Sequence, residues 1–352
     1  MKKTLLFGWA AVAAALLAGA CNRMPEPVTE TQTGKITLKA QLDGKAVQTR
    51  GADTGNYNRE TAIFDMQLLV FDTNGHLEYY ASTDEEDAEF VFSLRAGTMK
   101  AWVVANGPEL NNITSETAMT GMMLDLGTYN NPSDAFVMAG SETIHIVGGE
   151  FNDCIVELSR LVSRVTLKSV TSRLPEAYGT VTVDYAMLEN VVSSYSIGGA
   201  AGTAGWYNPM GRKTENPLVQ SHIVNPPTYV ADHAELTFHT LTGSTGFDRG
   251  DSYTTPLRFY AYPNATALDH SGFATPFTAR YTRLVLKATI DGGTYYYPIS
   301  IPNLARNTCY DIKVTLAGLG SSDPDVPVQK GEFDVAISVA DWGDGGEITE
   351  TI

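Results

Sequence analysis

The sequence is poor in the residues that catalytic and metal sites are built from. It has three cysteines and six histidines in 352 residues. No pair of them has the spacing of a metal site. No Gly-x-Ser-x-Gly elbow presents a nucleophile. Positive charge is also scarce: 24 Lys and Arg stand against 40 Asp and Glu, a net of −16. Residues 1–50 hold seven Lys/Arg and three Asp/Glu, a net of +4, so the rest of the chain carries −20. A surface this acidic argues against nucleic acid and anionic lipid as partners and favours solubility.

Long apolar runs are absent except for one. Thr4 to Ala20 carries no charge and follows Lys2 and Lys3. A basic start and a short apolar stretch ending in small residues read as a secretory signal, not a spanning helix. Ala18-Gly19-Ala20-Cys21 has the small residues of a lipobox, although Leu17 sits one place earlier than the usual leucine. Lipidation of Cys21 by a diacylglycerol would make a stable membrane anchor. The alternative is an ordinary cut after Ala20, with Cys21 a bystander. Cys154 and Cys309 stand in strand-like contexts and read as buried thiols, with a disulfide between them the alternative.

What the chain does have is alternation. In "KITLKAQL", Ile36, Leu38, Ala40 and Leu42 point one way and Lys35, Thr37, Lys39 and Gln41 the other, the mark of a half-buried strand. Arg50-Gly51 follows in a Gly, Asp, Thr and Asn segment that reads as an exposed loop. Beyond it short strands recur about every ten residues. "MQLLVFDTNGHLEYY" predicts a hairpin at Asn74-Gly75, and "ATIDGGTYYYPISI" another at Asp291-Gly292-Gly293. A short helix is predicted over "SETAMTGMMLDLG", with Ala118, Met122 and Met123 on one face. "TSRLPEAYG" (Thr171 to Gly179) breaks the pattern and suggests a domain boundary, and Ser196 to about Pro227 reads as surface loops. The expectation is an all-β chain with minor α: signal 1–20, propeptide 21–50, and two tandem β-sandwiches over 51–172 and 173–352.

No constellation of residues carries chemistry. His145, between Ile144 and Ile146, falls on the wetter strand face. His233 and His239 are about 20 Å apart on a strand, too far for one metal ion. "STDEEDAEF" and "DWGDGGE" lack the spaced ligands of a calcium loop. Tyr295, Tyr296 and Tyr297 read as cross-strand packing rather than a sugar platform. The expectation is a non-enzymatic protein with no catalytic residues, metal or cofactor.

The whole pattern resembles the type V pilins, or fimbrillins, of anaerobic Gram-negative bacteria. The resemblance rests on Cys21, the strand from Ile36 to Leu42, Arg50-Gly51, "MQLLVFDTNG", "KAWVVANG", "LSRLVSRVTLKSV" as the strand closing the N-terminal domain, and above all "NLARNTCYDIKVTLAGLGSSDPDVPV" before "FDVAISVADWGDG". It implies sandwiches of transthyretin-like, Greek-key type and a lipoprotein precursor carried to the outer membrane. An Arg-specific, trypsin-like protease would cut after Arg50. The strand bearing Ile36, Leu38, Ala40 and Leu42 would then leave a groove, and a strand from the C-terminal tail (about 331–352) of another subunit would fill it. The donor residues implied are Phe333, Val335, Ile337 and Val339, or Ile348 and Ile352 at the extreme tail. The implied protein is a fimbrial shaft subunit at the cell surface, self-associating, joined to other fimbrial subunits, and supporting adhesion to a host or bacterial surface glycoprotein. The rivals are a tip or anchor subunit of the same system, and a glycan-binding surface lipoprotein using exposed aromatics such as Trp206 and Tyr207.

Overall fold

The computed structural model describes residues 32–42, 60–85, 89–130, 135–200, 205–209, 234–241, 246–266, 280–328, 333–342 and 348–351, the last four by backbone alone. Their architecture is all-β, as expected, in two packed β units.

The first unit comprises β1 (Thr33–Leu42), β2 (Met66–Phe71), β3 (Leu77–Thr83), β4 (Glu89–Arg95), β5 (Gly97–Ala105), a short excursion of α1 (Glu116–Thr120), β6 (Met123–Asp125) and α2 (Leu126–Tyr129), then β7 (Met138–Ile146) and β8 (Phe151–Arg160). Its strands run in the order β3-β2-β5-β7-β8-β1-β4. The seam between β7 and β8 is narrow, only Met138 opposite Arg160 and Ala139 opposite Ser159. The sheet folds there, so β3-β2-β5-β7 faces β8-β1-β4 across one core. That core is built by alternation: Ile36 and Leu38 from β1, Phe90 and Phe92 from β4, Val156 and Leu158 from β8, against Met66, Leu68, Val70, Met99, Ala101 and Val103. The Asn74-Gly75 hairpin forms. The Asp72 carboxylate accepts from the Asn74 and His76 amides, and Gly75 adopts φ +79°.

β2 is buried on both faces, and this shows how the two units meet. Met66, Leu68 and Val70 enter the first core, whereas Leu69 and Phe71 enter a second core shared with the C-terminal half. The second unit contains β9 (Ser163–Ser172), β10 (Val181–Glu189), β11 (Val191–Val192), β12 (Ser194–Ser196), β13 (Trp206–Tyr207), α3 (Ala234–Thr237), β14 (Phe238–Thr240), β15 (Ser252–Tyr253), β16 (Leu257–Ala261), β17 (Thr282–Ile290), β18 (Gly293–Ile301), β19 (Thr308–Leu316), β20 (Phe333–Asp341) and β21 (Ile348–Thr351). One sheet runs β14-β10-β17-β18 and the other β15-β9-β19-β20-β21, with β16 also on β9. The β17–β18 turn is the expected one: Asp291 at φ +48° and Gly292 at φ +76° give the primed geometry that matches strand twist.

Three features differ from the sequence expectation. β9 does not close the first unit; it pairs in parallel with β19 and antiparallel to β16 in the second. The chain therefore changes units at Leu161 and Val162, both fully buried. "TSRLPEAYG" instead carries the chain from β9 to β10, between the sheets of one sandwich. The helix is two fragments, because Gly121 ends α1 after five residues, and Met119 is its buried residue while Met123 moves to a strand and is exposed. Trp206 and Tyr207 are partly buried against the shared core, not displayed.

Candidate functional site

β1 occupies the middle of its three-stranded layer. It pairs antiparallel with β4 from Thr33 opposite Arg95 to Lys39 opposite Glu89, and in parallel with β8 from Lys35 opposite Phe151 to Leu42 opposite Leu158. Both of its hydrogen-bonding edges are thus in use. Its start is pinned further: the Ala96 amide donates to the Gln32 carbonyl at 2.7 Å, and the Gly149 amide to the Thr33 carbonyl at 2.9 Å. Ile36 and Leu38 are fully buried, and Ala40 and Leu42 are half-buried against the same core. The four residues that alternation selected therefore share one face and one core.

The outer face has its own chemistry. Lys39 reaches Glu89 at 2.5 Å; that hydrogen bond, the Glu89 charge and the nearby Asp153 all raise its pKa. The Lys35 ammonium stands 5.3 Å from the centre of the Phe151 ring. Asp153 and Glu157 flank Thr37 and Gln41 on the β8 side. Phe151, Ile155 and Val91 are large apolar residues left exposed on this face. At the start of β1, Gly34 fits where no side chain does: a Cβ there would lie 2.4 Å from the Val147 carbonyl oxygen.

β1 precedes residues 43–59, which lie outside the described residues and include Arg50 and Gly51. Cys21 and Ile352 also lie outside them. The expected donor segment is placed as follows. β20 is an interior strand, paired with β19 over nine positions and with β21 on its other edge. Val335 and Ile337 are buried in the shared core, and Phe333 and Val339 pack against it. Ile348 lies opposite Val339 at the start of the edge strand β21.

A second cluster was not foreseen. Glu60, the first residue described after the linker, is nearly buried at the junction of the two units. Its carboxylate accepts from Arg164 at 2.6 Å, the Tyr260 hydroxyl at 2.6 Å and the Trp342 indole at 3.3 Å, while Arg160 donates to its backbone carbonyl at 2.7 Å. The Arg160 and Arg164 guanidinium groups lie 4.7 and 5.3 Å from the Trp342 ring centre. Residue 60 and the end of β20 are thereby tied to one spot. "NRETAIF" has no periodic signal that marks Glu60 for burial; the basic "SRLVSR" and Trp342 were visible, but not their meeting point.

The other candidates resolve to packing or solvent. Cys154 and Cys309 are buried free thiols, and burial pushes each up to about 11. His145 is exposed and bonds Thr98. His239 lies against the Arg258 carbonyl at 2.6 Å, and burial lowers its pKa. Tyr296 and Tyr297 are buried in the sandwich. Among the described residues no group of three His, Cys, Asp or Glu side chains is placed to hold a metal ion, and no helix is long and apolar enough to cross a membrane.

These features define a class: a two-unit all-β chain whose first described strand is the central strand of a sandwich layer. The particular fold within that class is the fimbrillin-like one. The chain is similar to a fimbrilin (fimA) from Porphyromonas gingivalis W83, at 14% identity over 88% of this chain and 98% of that one, with a TM-score of 0.58. It is similar to a candidate cell adhesion protein from Parabacteroides distasonis ATCC 8503, at 15% identity over 88% and 99%, with a TM-score of 0.61. It is also similar to the tip fimbrial protein Mfa3 of Porphyromonas gingivalis, at 14% identity over 88% and 100%, with a TM-score of 0.50. At these identities the likeness is one of fold. No family model matches the sequence, and no curated protein sequence is significantly similar to it.

Proposed function

We propose that this protein is a non-enzymatic structural subunit of a surface fimbria. It is exported as a precursor lipidated at Cys21, cut after Arg50, and joined to its neighbours by exchange of β1 for a strand of another subunit. One observation carries the reading: β1 is the central strand of its layer, yet it is connected to the rest of the sandwich in sequence only through residues 43–59. A single cut in that linker turns an integral strand into a bound peptide. Its departure would expose two strand edges and an apolar trough at once, a strong template for another strand. The fold likeness to a fimbrilin and to a tip fimbrial protein supports the same reading.

Two positions in a fibre fit. A shaft subunit needs both a groove and a donor strand; a terminal subunit needs only the groove. The interior position of β20 favours the terminal reading, because giving β20 away would open the core around Val335 and Ile337. The test is to treat the residue 22–352 form with an Arg-specific protease and follow its N-terminal sequence and size. A cut at Arg50 followed by oligomer ladders supports a shaft subunit. A cut form that stays monomeric alone but joins a second fimbrial subunit supports a terminal one. A cut form that keeps β1 and joins nothing sinks the proposal.

A further inference from the structure

The walls around β1 specify what can replace it. This inference rests on the exchange reading above and adds the chemistry of the incoming strand. We propose that the β1 groove takes a strand from a different subunit: one with no side chain at the Gly34 position, apolar residues at the Ile36 and Leu38 positions, and a Lys or Arg at the Lys39 position.

The steric requirement comes from the backbone. At Gly34 the groove wall is the Val147 carbonyl oxygen, which any Cβ would approach to 2.4 Å, with Asn152 Nδ2 and the Ile146 side chain each at 2.8 Å. A carbonyl held in the β7–β8 turn cannot step aside as a flexible side chain can. Asn152 also braces this turn, accepting from the Val147 amide and donating to the Lys35 and Glu150 carbonyls. This end of the groove therefore acts as a stop that fixes register, and a slip of one residue would turn the apolar face outward.

The charge requirement comes from the rim. With β1 gone, the outward side chains flanking its Thr37–Gln41 stretch are Glu89 and Val91 on β4 and Asp153, Ile155 and Glu157 on β8. Three of the five are acidic, and Lys39 is the cation set among them. On the outward face of the two flanking strands the basic residue is Arg95, at the other end of β4 and already engaged by Glu78 at 2.7 Å, while Arg160 at the end of β8 is buried toward Glu60. An incoming strand without a cation here would leave these carboxylates facing one another.

Neither of this chain's own C-terminal strands meets all three requirements. Residues 333–352 contain five Asp or Glu and no Lys or Arg. Setting Phe333 at the Ile36 position meets the steric and apolar requirements, with Gly331 at the Gly34 position and Val335 at the Leu38 position, but puts Asp334 beside Asp153 and Ala336 in place of Lys39. Setting Ile348 there puts Glu350 at the Leu38 position, which is fully buried. A carboxylate in that trough has no partner. The missing cation in the Phe333 strand, and the Glu350 that the Ile348 strand would bury, thus direct the groove toward a basic strand of another chain.

The test uses the full chain cut at Arg50, carrying Leu38→Ala so that its own β1 departs readily. Labelled nonapeptides are offered at low and high salt: Gly34–Leu42 itself, that peptide with Lys39→Glu, that peptide with Gly34→Ala, and the chain's own Gly331–Val339. The Gly34–Leu42 peptide should be taken up. Lys39→Glu should weaken uptake about tenfold at low salt, with the difference largely lost in 1 M salt, where charges are screened beyond about 3 Å. Gly34→Ala should weaken it about 10- to 100-fold at either salt, as overpacking does. Gly331–Val339 should compete no better than the Lys39→Glu peptide. Equal uptake of all four peptides, or Gly331–Val339 matching Gly34–Leu42, overturns the inference and leaves strand exchange standing. Failure of even the Gly34–Leu42 peptide to enter overturns strand exchange, and the inference with it.

Discussion

Leu38→Ala separates a removable strand from a merely structural one. Leu38 is fully buried between Phe90 on β4 and Cys154 on β8. Ile36 and Leu38 each gain about 1.5–3 kcal/mol by burial, and the half-buried Ala40 and Leu42 add less, so the inward face contributes about 4–8 kcal/mol before ordering costs. Truncating Leu38 to Ala removes about 2–5 kcal/mol, transfer and cavity terms together. In the uncut chain that loss lowers the stability of the first unit, while the tether keeps β1 at a high effective concentration and in place. After the cut the same loss becomes one of affinity. At about 1.4 kcal/mol per factor of ten it amounts to roughly 30- to 4,000-fold. The assay is dissociation of a labelled N-terminal fragment after Arg-specific cleavage, with Thr37→Ala as control. Thr37 lies on the outer face between Val91 and Asp153, and its loss should change the rate less than about tenfold. If the Leu38→Ala fragment leaves no faster than the Thr37→Ala fragment, burial of the inward face does not hold β1, and the reasoning fails.

Three further outcomes are expected. Glu60→Ala should destabilise the protein by about 3–5 kcal/mol in urea unfolding, because it removes the buried carboxylate that the partly buried Arg164 and the buried Tyr260 hydroxyl bond; a loss under about 1 kcal/mol would show that the junction cluster is solvated. Cys154 and Cys309, pushed up to about 11 by burial, should resist alkylation at pH 8 until the chain is unfolded, and a thiol modified in the native state would contradict their placement. His239 has a pKa lowered by burial, so its folded value lies below the unfolded one near 6.5. Its contribution is complete above pH 6.5 and is lost as the pH falls through the folded value. His239→Gln should therefore narrow the stability difference between pH 7.5 and pH 5, and an unchanged difference would remove His239 from the acid response.

The strands with one wet face were legible because alternation reports burial directly. β1, β4 and β8 each carry it, and their inward residues meet in one core. What alternation cannot report is which sheet a strand joins. β9 reads the same whether it closes the first unit or lies beside β19, and only the parallel pairing across some 145 residues decides it. The same blindness affects the C-terminal segment. Phe333, Val335, Ile337 and Val339 alternate like a spare strand, yet β20 is interior and Ile337 is 3% exposed. Ile337→Asp would accordingly strike the core of the second unit rather than a free tail. Glu60 left no trace in the pattern at all, since a buried carboxylate is defined by partners at 164, 258, 260 and 342 and not by its neighbours in sequence.

The central claim is that β1 is a plug the folded protein can lose. Native mass measurement of the chain after Arg-specific cleavage, with an excess of the Gly34–Leu42 peptide, tests it most directly. The account predicts a folded body that begins at Gly51, has released its own N-terminal fragment, and holds one copy of the peptide. A body that keeps its fragment against any excess of peptide, or one that unfolds when the fragment leaves with peptide present, would contradict it.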